Sequence, residues 1–132
     1  MTVHRFPVRI YYEDTDFSGN VYHAAYLKFF ERGRTEWLRD AGIHHSELAA
    51  EGIAFSVRSM DIQFDGAAHI DDLLTVTTET AGTTGARLTL TQAILRDDQV
   101  LTRATVVVVA IKTSGGPARL PKAIRERFAG QG

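Results

Sequence analysis

With 132 residues, 15 Lys plus Arg against 16 Asp plus Glu and a formal charge of −1, the chain is most simply one domain spanning 1–132, with no charge footprint for nucleic acid. The absence of cysteine excludes disulfides, thiolate catalysis and cysteine-based zinc or iron–sulfur sites. The start, Met-Thr-Val-His-Arg-Phe-Pro, has no apolar signal region, and no apolar run approaches the ~18 residues of a spanning helix, so a cytoplasmic protein without an integral membrane segment is expected.

In chain order, Phe6, Val8, Ile10 and Tyr12 alternate with Pro7, Arg9 and Tyr11, a period of two that predicts a strand. Pro7 confines its beginning to an edge or an unpaired end. Residues 13–19 are loop chemistry, with Ser18-Gly19-Asn20 as the turn. A long helix is predicted from about Asn20 or Val21. Its stripe runs through Leu27, Phe30, Arg34, Trp37, Leu38 and Ala41, widened by Tyr26 and Phe29. Gly42 is placed for a left-handed cap. Gly33, inside the helix, costs ~1 kcal/mol against Ala, which points to another backbone or strand lying close across it.

Ser46 is expected to cap a short helix over 45–50, closed by Gly52. Strands are predicted over 53–64, 73–81, 86–96 and 100–112. The run Val106 to Ile111 is apolar at every position, which predicts a central strand. Pro121 opens a short helix over 122–128. The fold expected is α+β: one long helix with a five-stranded, mostly antiparallel sheet curled around it. Such a sheet keeps an open edge, and twofold pairing of two copies would cover it.

The chemistry concentrates before the long helix. Asp16 is followed by Phe17, Ser18, Gly19, Asn20, Val21, Tyr22 and His23. An Asp has a reference pKa of about 3.9 and is ionised at neutral pH unless burial intervenes. The first amides of a helix lack intrahelical partners and sit at its positive end. If the loop turns back at Gly19, Asp16 can attack a carbonyl or polarise a water while those amides hold the developing oxyanion. The plainer reading is that Asp16 caps the turn or the helix.

The run Tyr12-Glu-Asp-Thr-Asp-Phe-Ser-Gly-Asn-Val-Tyr-His-Ala-Ala-Tyr-Leu-Lys-Phe-Phe-Glu-Arg-Gly-Arg-Thr-Glu-Trp-Leu resembles the signature of the 4-hydroxybenzoyl-CoA thioesterase family of hotdog-fold proteins. It is most similar to the YbgC-type acyl-CoA thioesterases associated with the Tol–Pal system. The similarity continues through Phe55-Ser-Val-Arg-Ser-Met-Asp-Ile and Asp71-Asp-Leu-Leu-Thr-Val to Arg119-Leu-Pro. It implies a hotdog fold and hydrolysis of short-chain or 4-hydroxybenzoyl-like acyl-CoA, with Asp16 as nucleophile or general base and the His23 amide as oxyanion donor. It also implies a homodimer or a dimer-of-dimers tetramer, with each site built from two chains.

Phe17, Ser18, Gly19, Asn20, Tyr22 and Tyr26 are the candidate acyl-contacting residues, with Tyr26 read first as a core residue. Lys112, Arg119 and Lys122 are candidates for the CoA phosphates or simply solvated surface. No cofactor is expected, coenzyme A being part of the substrate, and an acyl carrier protein is a possible alternative carrier. No metal site is expected, because His44-His45 lacks partners at ligand spacing. Glu31 with Arg34 and Arg32 with Glu36 are i,i+3 and i,i+4 pairs, which read as a solvated or interface face of the helix. One departure stands out: Phe64-Asp65-Gly66-Ala67-Ala68 replaces the family's aromatic residue followed by Leu-Arg-Pro-Ala, which bears on acyl preference and CoA contacts. Two other functions remain open from the residues: an enoyl-CoA hydratase or dehydratase using Asp16 and His23, and a non-catalytic acyl-carrier or cell-envelope interaction module.

Overall fold

A computed structural model describes residues 3–128. The elements are β1 (His4–Arg9), a 3-10 turn (Tyr12–Asp14), α1 (Ala25–Asp40), α2 (His45–Ala50), β2 (Ile53–Phe64), β3 (Leu73–Thr83), β4 (Arg87–Arg96), β5 (Gln99–Lys112), β6 (Pro117–Ala118) and α3 (Lys122–Arg127). The sheet runs in the order β1-β3-β4-β5-β2, all antiparallel, and the two-residue β6 joins β5 at Ala110 and Ile111. Pro7 sits on an edge strand, where its missing N–H costs no ladder bond. No helix among the described residues is long and apolar enough to cross a membrane.

The helix α1 lies across β1, β3 and β4. Gly33 makes this approach possible: a Cβ there would stand 2.6 Å from Val76 Cγ1 on β3. The expected close crossing is therefore a strand. Beneath it, Gln92 Nε2 donates to Phe30 O (3.0 Å) and Thr78 Oγ1 (2.9 Å), which satisfies polar groups shut off from water. Gly42 closes the helix at φ +82°, the left-handed conformation expected of it.

Several expectations are corrected. The helix begins at Ala25 rather than near Val21, because Tyr22, His23 and Ala24 form a preceding turn whose amides are held elsewhere or left open. Its buried stripe is Ala25, Tyr26, Phe29, Phe30, Gly33, Trp37 and Leu38, while Leu27 is 46% exposed. Glu36 pairs with Arg39 (3.2 Å) rather than with Arg32. Ser46 does not cap α2, whose N-cap is His44 with no side-chain bond. β1 ends at Arg9, so Tyr11 and Tyr12 belong to the loop. β5 is central as expected, yet only its inner residues are shut away; Val107 and Val109 are half-buried.

Because α1 covers only part of the sheet, the inner face of β2 emerges beyond it. Phe55, Val57, Met60, Ile62 and Phe64 share that face with Ala110, Val108, Val106, Ala104 and Thr102 of β5 across a bulge at Arg58. Val57 is 46% and Phe64 51% exposed. The other backbone side of β2, a twelve-residue strand, has no neighbour among the described strands.

Candidate active site

Asp14 and Asp16 differ in what they hold. Asp14 Oδ2 accepts the Tyr11 amide (2.9 Å) and so closes the 3-10 turn. Asp16 stands at the tip of a small loop whose stem is the Thr15–Val21 bridge. The Asp16 amide donates to Asn20 O (2.9 Å), the Gly19 amide to Asp16 O (3.1 Å), and Gly19 takes φ +83° to make the turn. Asp16 Oδ1 accepts both the amide (2.8 Å) and the hydroxyl of Ser18. Those two donors, the hydroxyl first, hold its carboxyl below the ordinary aspartate range. The carboxylate thus fixes its own turn, as the plainer reading foresaw. Oδ2 takes no hydrogen bond and no salt link among the described residues, and Asp16 is exposed.

The helix start supplies the complementary charge. The Tyr22 amide is held by Asp14 O (3.0 Å), and the Ala25 amide by Tyr22 O (2.8 Å). Between them, the His23 and Ala24 amides donate to no group among the described residues. The N-cap, Ala24, offers no side chain, and no acidic residue occupies the first turn. Unpaired donors at the positive end of an uncapped helix favour an oxygen carrying negative charge.

The loop is tied down from below. The Val21 amide donates to Ala68 O (2.8 Å), the Ile70 amide to Gly19 O (3.1 Å), and Asn20 Oδ1 meets His69 Nδ1 at 2.7 Å. Tyr26 is buried, its ring against Phe29 and Phe64 and its hydroxyl accepting the Ala68 amide (3.1 Å). Asp72 Oδ2 accepts the His69 amide (2.9 Å) and Arg96 Nη1 (2.9 Å), while Arg96 also reaches Ala67 O (3.2 Å). Burial pushes the Asp72 carboxyl up, but the His69 amide and Arg96 outweigh it and hold the group below its ordinary value. The departing segment 64–68 is therefore the foundation of the Asp16 loop.

Of the residues singled out from the sequence, Phe17, Ser18, Tyr22 and His23 are exposed around Asp16, and Gly19 and Asn20 shape the turn. Tyr11, Tyr12, Phe17 and Tyr22 together leave a large aromatic surface uncovered beside the carboxylate. Lys112, Arg119 and Lys122 are not brought to Asp16 within one chain. Lys112 ends β5 while Gln99, near Arg96, begins it, and fourteen residues of strand span about 45 Å. Arg119 lies against Gly85 at that far end, and Lys122 pairs with Glu126 (3.6 Å). His69, Asp72 and Arg96 were missed; the signal in the sequence is a His-x-Asp-Asp turn directly ahead of a strand. No cluster of metal-ligating residues occurs among the described residues.

The family model described as the thioesterase-like superfamily matches residues 11–128. The acyl-CoA thioester hydrolase YbgC of Escherichia coli is 43% identical over 129 residues, 96% of each chain. The acyl-CoA thioesterase YbgC of Haemophilus influenzae is 43% identical over 125 residues, covering 93% of this chain and 92% of its own. A probable thioesterase from Bartonella henselae, known from its crystal structure, superposes with a TM-score of 0.88 at 48% identity, over 91% of this chain and 100% of that one.

Proposed function

Since the chain belongs to the thioesterase-like superfamily and is a thioester hydrolase of hotdog fold, we propose that it splits acyl-CoA thioesters into free acid and CoA, using Asp16 and the His23 amide. One observation carries the assignment. An ionised carboxylate with one unengaged oxygen shares a loop with helix-start amides that have no partner among the described residues.

The thioester carbonyl would accept the His23 N–H, which gains strength as the oxygen becomes an oxyanion. Asp16 Oδ2 then either attacks the carbonyl carbon, forming a mixed anhydride that water opens, or removes a proton from an attacking water. In both routes the C–S bond breaks, and the thiolate leaves with the electron pair. Oxygen-isotope incorporation into Asp16 during a single turnover in labelled water separates them.

A short-chain or single-ring acyl group, such as 4-hydroxybenzoyl, suits this reading. So does assembly as a homodimer through the open side of β2. The exposed Val57 and Phe64, together with the aromatic surface at Asp16, are the faces that a second copy would cover. The test is Asp16→Asn, which should keep the circular dichroism spectrum and elution volume but lose nearly all thiol release from a panel of acyl-CoAs. Retained turnover would end the assignment.

A further inference from the structure

Three short runs of chain lie side by side at the Asp16 loop. Thr15 pairs with Val21 and Asn20 with His69, both antiparallel, and the Asp16 amide donates to Asn20 O (2.9 Å). The Thr15–Val21 register sets Asp16 opposite Asn20, just as Asn20 is opposite His69. Residues directly opposed in antiparallel pairing carry their side chains on one face, about 4.5–5.5 Å apart. Asp16, Asn20 and His69 therefore form a row with Asn20 in the middle.

The middle member is held in orientation. Asn20 Oδ1 lies 2.7 Å from His69 Nδ1. A carboxamide oxygen only accepts, so Nδ1 carries the hydrogen. Turning the carboxamide over would aim that oxygen at the Asp16 carboxylate, whereas the N–H2 end suits a negative neighbour. The carboxylate stands near enough for the Asn20 backbone amide to join the Ser18 donors in lowering its pKa. His69 is fixed in turn: its amide donates to Asp72 Oδ2 (2.9 Å), which also accepts Arg96 Nη1 (2.9 Å).

An unused donor thus stands beside an unused acceptor. Asn20 Nδ2 makes no hydrogen bond among the described residues, and Asp16 Oδ2 accepts none. Asn20 is half-buried, so its donor is partly shielded from bulk solvent. A span of about 5 Å holds one water oxygen at hydrogen-bond distance from both ends. An ordered water takes roughly two to four polar partners, and this pair supplies two of opposite kind. Asp16 Oδ1 is tied to Ser18, which suits a carboxylate that takes a proton in place better than one that swings onto a carbon.

We propose that Asn20 is a further catalytic residue, whose Nδ2 holds the attacking water against Asp16 Oδ2, and that His69 is the positioning residue that keeps the carboxamide turned that way. The proposal rests on the thioesterase reading and deepens it by making Asp16 a general base. The water gives one proton to Oδ2 as its oxygen bonds to the acyl carbon. The carbonyl re-forms as the C–S bond breaks, and the leaving thiolate takes that proton from Asp16.

The experiment measures kcat and KM by thiol release from a panel of acyl-CoAs. Asn20→Leu removes the donor without adding charge, and Asn20→Asp keeps an acceptor for His69 but has no donor. Both should lower kcat about 10- to 100-fold with KM within about two-fold. A brace alone would leave Asn20→Asp active, so full activity in either variant overturns the proposal. A raised KM with unchanged kcat places the donor on the acyl group and overturns the water assignment. His69→Leu should lower kcat about ten-fold, the scale of ordering one side chain. His69→Gln, which retains a donor for Asn20 Oδ1, should recover most of that loss, and equal rates in the two variants overturn the role of His69.

Two further measurements do not depend on comparing rates. Long-range nitrogen–proton NMR at alkaline pH should show the Nδ1–H tautomer at His69, identified by its loss in His69→Gln; an Nε2–H tautomer overturns the lock. A single turnover in labelled water should leave Asp16 free of the isotope, and label in Asp16 overturns the general-base role. Absence of thiol release by the wild type would remove the thioesterase reading and this proposal with it. Normal wild-type turnover with fully active Asn20 variants would overturn this proposal alone.

Discussion

The hydroxyl of Tyr26 accepts the amide of Ala68 at 3.1 Å, a bond between the first turn of α1 and the segment that carries the Asp16 loop. The Ala68 carbonyl in turn receives the Val21 amide, so helix and loop are referenced to one buried residue. Tyr26→Phe leaves the Ala68 N–H buried without a partner. The expected cost is about 1–3 kcal/mol in urea unfolding, with a fall in kcat exceeding any change in KM. A variant as stable and as active as the wild type would remove Tyr26 from this role.

Ser18 bears on the pH profile. Its hydroxyl and amide hold the Asp16 carboxyl below the ordinary value, so the ionised form persists further into acid. Ser18→Ala removes the hydroxyl, and the folded pKa rises toward ordinary. The acid limb of kcat/KM should therefore move to higher pH, while the rate on the neutral plateau changes less. A limb that stays in place would show that another group sets it.

Gly33→Ala tests the crossing of α1 over β3. Helix propensity favours Ala by ~1 kcal/mol. The new methyl would meet Val76 Cγ1 at 2.6 Å, and a buried, β-branched side chain has little freedom to retreat. Overpacking of this kind costs about 1–3 kcal/mol, so net destabilisation is expected by denaturant titration. A stabilised variant would mean that the helix can lift from the sheet.

Asp72→Asn tests the base of the loop. Asp72 has a folded pKa below its ordinary 3.8, so its contribution to stability is present above that value and is lost as pH falls through the folded value. At neutral pH the variant should be less stable by about 1–2 kcal/mol, since one charge-assisted bond to Arg96 is weakened. The two stability curves should converge below pH 3.8. Parallel curves would contradict the pairing.

Periodicity and glycine placement made the elements legible. β2 occupies the predicted 53–64, and Gly42 and Gly33 do what a left-handed cap and a close crossing require. The stripe on α1 was misphased because neighbouring rows on a helix are only 100° apart. Leu27 and Tyr26 are both apolar enough to face inward, and only the position of the sheet chooses Tyr26. The helix start was read a turn early because Tyr22 is claimed by Asp14 across the loop, a bond that no local pattern announces.

The amino-acid order alone determined the local events: where strands alternate, where the chain turns at Gly19, and that a carboxylate precedes the long helix. These depend on φ, ψ and side-chain chemistry within a few residues. Tertiary structure alone decided which neighbours those groups meet. Asn20 touches His69, and Arg96 steadies Asp72, across 49 and 24 residues of chain. Such contacts are fixed by strand order and register, which a linear pattern does not encode. The same register separates Lys112 from Asp16, leaves the inner face of β2 only partly covered, and leaves its outer side without a neighbour among the described strands.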